Sequence, residues 1–255
     1  MFTLAGTRAL VTGGSRGIGL ASAEALAKAG CDVVLNHVDD GARAEVECER
    51  LSKATGRSIY HIDADVGEKS AARTMVEKAA ALLDGLEIVH CNAGICRFTP
   101  FLEIDDENWQ RHLDVNLSGG FRVAQSAAKL MVEQKQKGRI IFTTSVGAFR
   151  SNATQTHYCA TKAGLHILAQ GMALELGGHG ITVNCVAPGW IHTDINDEQS
   201  RDEDAVKRWV EANCSVGRLG KPSDLQSAIL FLASKEAEYV NGTTITVDGG
   251  WNAQL

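Results

Sequence analysis

The sequence has no apolar run long enough to cross a bilayer, and no apolar signal segment opens it, so a membrane-spanning or exported protein is not expected. It has no run of lysine and arginine, and its formal net charge is −6, which argues against a nucleic-acid partner or an anionic membrane surface. It has no Cys-x-x-Cys pair. Its seven cysteines are scattered and odd in number, the pattern of reduced thiols in a cytoplasmic protein. Its eight histidines show neither His-x-x-x-His nor His-Glu-x-x-His, so no metal site is expected. No proline- or serine-rich linker, internal repeat or low-complexity stretch divides residues 1–255, which read as a single domain.

What is present is a regular alternation. Apolar content is 44%, enough for a substantial core. Short Val/Ile/Leu runs at 8–12, 32–36, 58–62, 86–91, 139–144, 181–186 and 243–247 predict about seven strands. Helical patterns lie between them, over 42–54, 68–83, 107–136, 158–176 and 223–233, with a first helix running to Ala29. Strands that are apolar without interruption are buried on both faces, which is the mark of a parallel sheet. The expected fold is therefore α/β, a Rossmann-type doubly wound parallel sheet with helices on both faces.

Between the first strand and the first helix lies Thr12-Gly13-Gly14-Ser15-Arg16-Gly17-Ile18-Gly19. A turn of this kind presents backbone N–H groups and a helix N-terminus to a diphosphate. Gly13, Gly17 and Gly19 let the backbone approach the ligand, and the spacing is Gly-x-x-x-Gly-x-Gly. At the end of the second strand a carboxylate would bind a ribose diol, but the chain reads Asn36-His37-Val38 there. With Arg16 nearby, this favours NADP and leaves NAD possible. Asp65-Val66 follows the third strand, at the expected adenine edge, and Asn92-Ala93-Gly94 follows the fourth, where small residues can pass the ribose.

Tyr158 and Lys162 stand four residues apart in a helical stretch, so they share a face. Free tyrosine, with a pKa near ~10, is a poor base at neutral pH. A neighbouring ammonium favours the phenolate, so the expectation is a lowered Tyr158 pKa and a usable proton acceptor. Ser145 closes an apolar run upstream, and Asn116 lies inside a helical pattern. Together with the glycine turn these residues describe a hydride-transfer site.

Along essentially its whole length the chain resembles the short-chain dehydrogenase/reductase family. The resemblance rests on Thr12 to Gly19, Asp65-Val66, Asn92-Ala93-Gly94, Asn116, Ser145, Tyr158, Lys162, Pro188-Gly189 with Thr193, and Asp248-Gly249-Gly250. One departure is Cys91, where the family usually has a second asparagine. The resemblance implies that Tyr158 is the base in alcohol oxidation and that Lys162 binds the nicotinamide ribose. It implies that Ser145 bonds the reacting oxygen and that Asn116 holds a water leading from Lys162 to solvent. It places Ile191 and Thr193 on the carboxamide, and it implies a homotetramer paired through the helices beginning near Asn108 and at Tyr158.

Three stretches, Asn92 to Phe98, Gln155 to Tyr158 and Thr193 to Asn196, are similar to those of aldose dehydrogenases, L-rhamnose 1-dehydrogenases among them. That implies oxidation of the anomeric hydroxyl of a sugar to a lactone. Cys96, Ser145, Gln155, His157 and Asn196 would then meet the substrate, helped by Arg150 and Asn152. Residues 195–216, rich in charge, are expected to form a lid with one short helix. The competing readings are a reductase of 3-oxoacyl or small-ketone substrates and a non-catalytic NADP-binding regulator. The intact Ser145, Tyr158 and Lys162 weigh against the regulator.

Overall fold

A computed structural model describes residues 2–253. Seven strands form one parallel sheet: β1 (Arg8–Val11), β2 (Asp32–His37), β3 (Ile59–Asp63), β4 (Ile88–Cys91), β5 (Gly138–Thr143), β6 (Ile181–Pro188) and β7 (Thr244–Val247). Their order is β3-β2-β1-β4-β5-β6-β7. Every pairing is parallel, as in Leu10 beside Val34 on one edge of β1 and Val89 on the other. The central strands β4, β5 and β6 are buried at every position, which is why they read as unbroken apolar runs.

The crossover helices are α1 (Gly17–Lys28), α2 (Gly41–Thr55), α3 (Lys69–Leu83), α4 (Asp106–His112), α5 (Gly120–Glu133), α6 (Thr156–Leu176), α7 (Glu203–Asn213) and α8 (Gln226–Ala233). Two apolar layers pack the faces of the sheet. One joins α3, α5 and α6 through Met75, Val123 and Leu165. The other joins α1, α2 and α8 through Leu26, Leu51 and Ile229. Among the described residues no helix is long and apolar enough to cross a membrane.

Element boundaries agree with the hydrophobic pattern to within two or three residues, with one exception. The helix expected over 107–136 is divided. Between α4 and α5, Leu113–Gly119 is π-helical. This widened turn carries Asn116, whose amide is drawn to the loop after β4: Ile95 N–H donates to Oδ1 (2.8 Å) and Nδ2 donates to Ile95 C=O (2.9 Å). Gly119, in the same turn, lies so close to Val66 that a Cβ would sit 2.9 Å from its Cγ2 and carbonyl oxygen. A widened turn of this kind inside an α-helix commonly marks a functional position.

The strand order changes direction between β1 and β4, which follow different crossovers to opposite sides. The carboxyl ends of these two strands leave a crevice, the place where open α/β sheets hold ligands.

Candidate active site

A cleft of about 400 Å³ opens at these strand ends. Of the cofactor residues expected from the sequence, Gly13, Ser15, Arg16, Gly17, Ile18, His37, Asp65, Val66, Asn92, Ala93, Gly94, Tyr158, Lys162, Pro188, Gly189, Ile191 and Thr193 all line it. Gly19 does not, and its role is packing: a Cβ there would lie 2.0 Å from Gly13 O. Gly13 and Gly17 adopt φ of +61° and +56°, a region that only glycine enters freely. A Cβ on Gly17 would meet nothing nearer than Thr193 Cγ2 at 3.5 Å, so that side of the turn is open to the cleft. The N-terminus of α1 carries no side-chain cap, and its free N–H groups suit an anion.

Asn36 organises this turn, a role that its place at the end of β2 did not disclose. Its Oδ1 accepts from Gly13 N–H (3.3 Å), its carbonyl from Gly14 N–H (2.7 Å), and its Nδ2 donates to Ala64 C=O (2.8 Å). His37 lines the cleft, but both of its ring nitrogens are occupied. Nδ1 accepts from Asp40 N–H (3.3 Å) and Nε2 pairs with His61 Nδ1 (3.0 Å). The Asp65 carboxylate is held by Arg111 (2.7 Å) and Gly67 N–H (2.8 Å), which makes Arg111 a second residue of this wall that sequence reasoning passed over.

At the other end of the cleft Ser145, Tyr158 and Lys162 come together from β5 and α6, with Asn116 behind them. Lys162 Nζ lies 5.5 Å from the centre of the Tyr158 ring and donates to Thr143 C=O (2.8 Å). Asn116 Nδ2 also donates to Thr161 Oγ1 (3.2 Å), so its amide is wholly engaged by protein groups. Gly94 sits between: a Cβ there would lie 3.3 Å from Asn116 Oδ1 and 3.4 Å from Lys162 Nζ.

The electrostatics differ from the expectation that Lys162 lowers the Tyr158 pKa. Burial pushes the phenol up, Cys96 adds to that, and the Ser145 hydrogen bond opposes it. Tyr158 keeps some surface open to the cleft, so solvent limits the rise. Burial also lowers the Lys162 ammonium, to about 8. Both shifts have one cause: a low-dielectric pocket favours the neutral form of each group. At neutral pH the phenol is therefore neutral while Lys162, with its value near 8, is still mostly an ammonium, so the positive charge is in place before the phenolate forms.

Beneath it runs a network whose hydrogens can be assigned. Asn92 Nδ2 donates to Thr12 C=O (3.0 Å) and Gly13 C=O (3.3 Å), which leaves Oδ1 to accept from Thr143 Oγ1 (3.1 Å). With its proton spent, that hydroxyl accepts from His90 Nε2 (2.8 Å). His90 is completely buried and its Nδ1 has no protein partner. Burial, with Lys162 nearby, lowers its pKa to about 3.

That shift sets a stability prediction. The unfolded state takes up a proton near the ordinary histidine value, and the folded state resists it, so stability falls as pH drops from about 6.5 towards 3. His112 and His157, lowered chiefly by burial, contribute in the same direction. His90→Gln keeps a donor towards Thr143 and removes the titration. Its melting temperature should fall less steeply between pH 7 and pH 4.5 than that of the wild type; an identical slope would remove His90 from the account.

The expected substrate residues divide. Ser145 and Asn196 line the cleft. Cys96 and Gln155 stand beside Tyr158 but pair with each other, Gln155 Nε2 donating to the thiol sulfur (3.3 Å). Burial pushes the Cys96 thiol up to about 11, so it is not a reactive thiolate. His157 corrects the sequence reading: it is fully buried, its ring 4.0 Å from and tilted against that of His112, and away from the cleft. It turns away from the cleft because neighbours on a helix project about 100° apart. Asn196 is a correction in role. Its Oδ1 accepts from Thr193 N–H (3.1 Å) and its Nδ2 donates to Ile191 C=O (2.8 Å), closing a short 3₁₀ turn at Asp194–Asn196. Arg150 likewise turns to Trp251 C=O (3.2 Å).

A glycine-rich anion cradle joined to a Ser–Tyr–Lys constellation at the switch point of a parallel sheet defines a nucleotide-dependent oxidoreductase. Comparison with known proteins narrows this. The family model described as enoyl-(acyl carrier protein) reductase matches residues 13–252. The L-rhamnose 1-dehydrogenase (NAD(P)(+)) of a Sphingomonas species is 39% identical over 255 residues, 100% of both chains. The 3-oxoacyl-[acyl-carrier-protein] reductase of Aquifex aeolicus is 36% identical over 97% of this chain and 98% of its own. The crystal structure of a gluconate 5-dehydrogenase from Burkholderia cenocepacia in complex with NADP and tartrate superposes with a TM-score of 0.94 at 35% identity, covering 100% of this chain and 98% of the other. The chain belongs to the short-chain dehydrogenase/reductase family, and it is an oxidoreductase acting on CH–OH groups.

Proposed function

We propose that the protein is an NAD(P)-dependent aldose dehydrogenase that oxidises the anomeric hydroxyl of an L-rhamnose-like sugar to the lactone, with NADP favoured over NAD. The observation that carries the sugar reading is the full-length likeness to the Sphingomonas L-rhamnose 1-dehydrogenase. The uncapped α1 N-terminus and the open face of Gly17 fit a dinucleotide diphosphate. Asp65 would stand at the adenine edge, Lys162 at the nicotinamide ribose, and Ile191 and Thr193 at the carboxamide.

When bound, the nicotinamide supplies the hydride acceptor. The protein's part is the proton. Tyr158 Oη takes it from the anomeric hydroxyl as the hydride leaves the same carbon, so the C–O single bond becomes the lactone carbonyl. Ser145 Oγ holds that oxygen, and Lys162 balances the phenolate charge. Asn116, its amide bound to Ile95, fixes the floor beneath Lys162 and the widened turn through which water would reach it.

The test follows the near-ultraviolet absorbance of reduced nicotinamide with NADP or NAD and a panel of aldoses, gluconate and a 3-oxoacyl thioester. Aldose oxidation is the expected result. Reduction of the thioester without aldose oxidation selects instead the reading favoured by the Aquifex relative, a 3-oxoacyl reductase.

We propose also that residues 195–216 close over the sugar. Their helix α7 contains no fully buried residue, and aromatic edges hold it: Trp209 lies 4.7 Å from Trp190 on one side and 4.7 Å from Trp251 on the other. So small a contact implies low local stability. Amide exchange over 203–213 should be faster than in α8 and should slow with cofactor and sugar. Slow exchange that ligands leave unchanged would make α7 a permanently docked helix.

We propose a cytoplasmic homotetramer. The described cysteines are all unpaired. A groove between α5 and α6 is lined by Phe121, Val132, Leu168, Met172 and Leu176, and Trp109 and Phe121 are about two-fifths exposed. Leu165, on the same helix, is in the core and adds nothing to this patch. Light scattering at micromolar concentration should give four times the 27.2 kDa chain mass, and a monomer would refute the assembly.

A further inference from the structure

At the outer end of the cleft, one carboxylate oxygen faces two guanidinium groups. Asp194 Oδ2 lies 3.1 Å from Arg43 Nη1 and 3.5 Å from Arg16 Nη1. The three come from distant parts of the chain. Arg16 precedes the first turn of α1, Arg43 sits in the first turn of α2, and Asp194 follows the β6 crossover. Arg16 and Asp194 line the cleft together with His37 and Asp40, so this cluster borders the place proposed for the adenosine ribose.

The partners are unequal in freedom. Asp194 is carried by the turn Asp194–Asn196, which the Asn196 amide pins at both ends, and the backbone cannot leave without breaking those bonds. The arginines are long and about half exposed, so they can reorient. Asp40 also faces this end, but its carboxylate accepts from Ser15 Oγ (2.7 Å) and pairs with neither arginine.

We infer that Asp194 competes with a cofactor 2′-phosphate for Arg16 and Arg43, so that Asp194 sets the ratio of NADP to NAD use. This rests on the dinucleotide reading of the cleft. A phosphate needs the guanidinium donors that Asp194 now occupies, and it is also repelled by that fixed carboxylate. A 2′-hydroxyl needs neither arginine, so NAD is indifferent to the competition. Selectivity is then decided by a residue on the far side of the cleft and not by the end of β2 alone. Exposed ion pairs are weak, each worth a factor of roughly 1.5 to 5 in an equilibrium, so the two together imply an effect of about two- to twenty-fivefold.

The experiment is titration calorimetry of the cofactor-free protein with 2′,5′-ADP and with 5′-AMP, which differ only in the 2′-phosphate and lack the nicotinamide. Asp194→Asn keeps the shape of the turn and removes the charge. It should bind 2′,5′-ADP about two- to twenty-fivefold more tightly at low salt, less so at high salt, with 5′-AMP unchanged. Arg43→Ala should weaken 2′,5′-ADP and leave 5′-AMP unchanged. Unchanged 2′,5′-ADP affinity in either variant, or an equal change for both nucleotides, overturns the inference while the dinucleotide reading stands. A wild-type protein that binds neither nucleotide overturns both.

Discussion

Tyr158→Phe is expected to lower turnover by roughly 10²–10⁴-fold, the usual contribution of a positioned acid–base group. Nucleotide affinity should change little. The ring volume is nearly conserved, and the phenol is the proton acceptor placed in the cleft beside Ser145. The same residue sets the pH dependence. Burial holds Tyr158 above the ordinary phenol value in the free protein, so the base form is scarce at neutral pH. Alcohol oxidation should therefore rise with pH, and carbonyl reduction should show the opposite trend. The apparent value belongs to the Tyr158–Lys162 pair and not to either group alone. Near-normal turnover of the phenylalanine variant would remove Tyr158 from the chemistry. A flat oxidation profile from about pH 6 to pH 10, with the chemical step limiting, would do the same.

Lys162→Met is expected to abolish most turnover and yet stabilise the cofactor-free protein. Lys162 is 3% exposed, and its ammonium is lowered from 10.5 to about 8. Between those values the unfolded state binds more protons than the folded state, so stability rises with pH across that window. Below it, at neutral pH, the fold carries the full penalty of the buried charge. At about 1.4 kcal/mol per unit this amounts to roughly 3 kcal/mol, an upper bound that the lost hydrogen bond to Thr143 C=O reduces. A net gain of about 1–3 kcal/mol corresponds to several degrees in melting temperature for a chain of this size. The variant should also lose the rise in stability between pH 8 and 10.5. Thermal melts without nucleotide decide the matter. A variant that melts below the wild type would show that Lys162 holds the apo fold together, against its low pKa. The predicted opposition of stability and activity is the usual cost of a charge kept in a dry site.

Much of the site was legible because its parts are local. A Tyr-x-x-x-Lys spacing fixes two groups on one helix face whatever surrounds it, and a glycine-rich turn after an apolar strand needs only its own backbone to form the cradle. The wide turn at Leu113–Gly119 was not legible, since an amphipathic pattern over 107–136 is compatible with an unbroken helix. What opens it is Asn116 bonding to Ile95, a contact 21 residues away. His157 misled for a related reason. Adjacency to Tyr158 in sequence means a direction about 100° away on a helix, and its actual neighbour, His112, comes from another crossover.

The sequence by itself determined the parallel α/β sheet, the place of the glycine-rich turn and the shared helix face of Tyr158 and Lys162, because strand burial, helix period and turn geometry are properties of neighbouring residues. Only the tertiary structure decided which polar groups remain free. Asn196 is spent on Thr193 and Ile191, Gln155 on Cys96, and His37 on His61 and the Asp40 main chain. The charge states of Tyr158 and Lys162 were likewise decided there. Periodicity reports the spacing of two groups, while desolvation depends on every atom packed around them, and those atoms come from separate parts of the chain that meet only when it is folded.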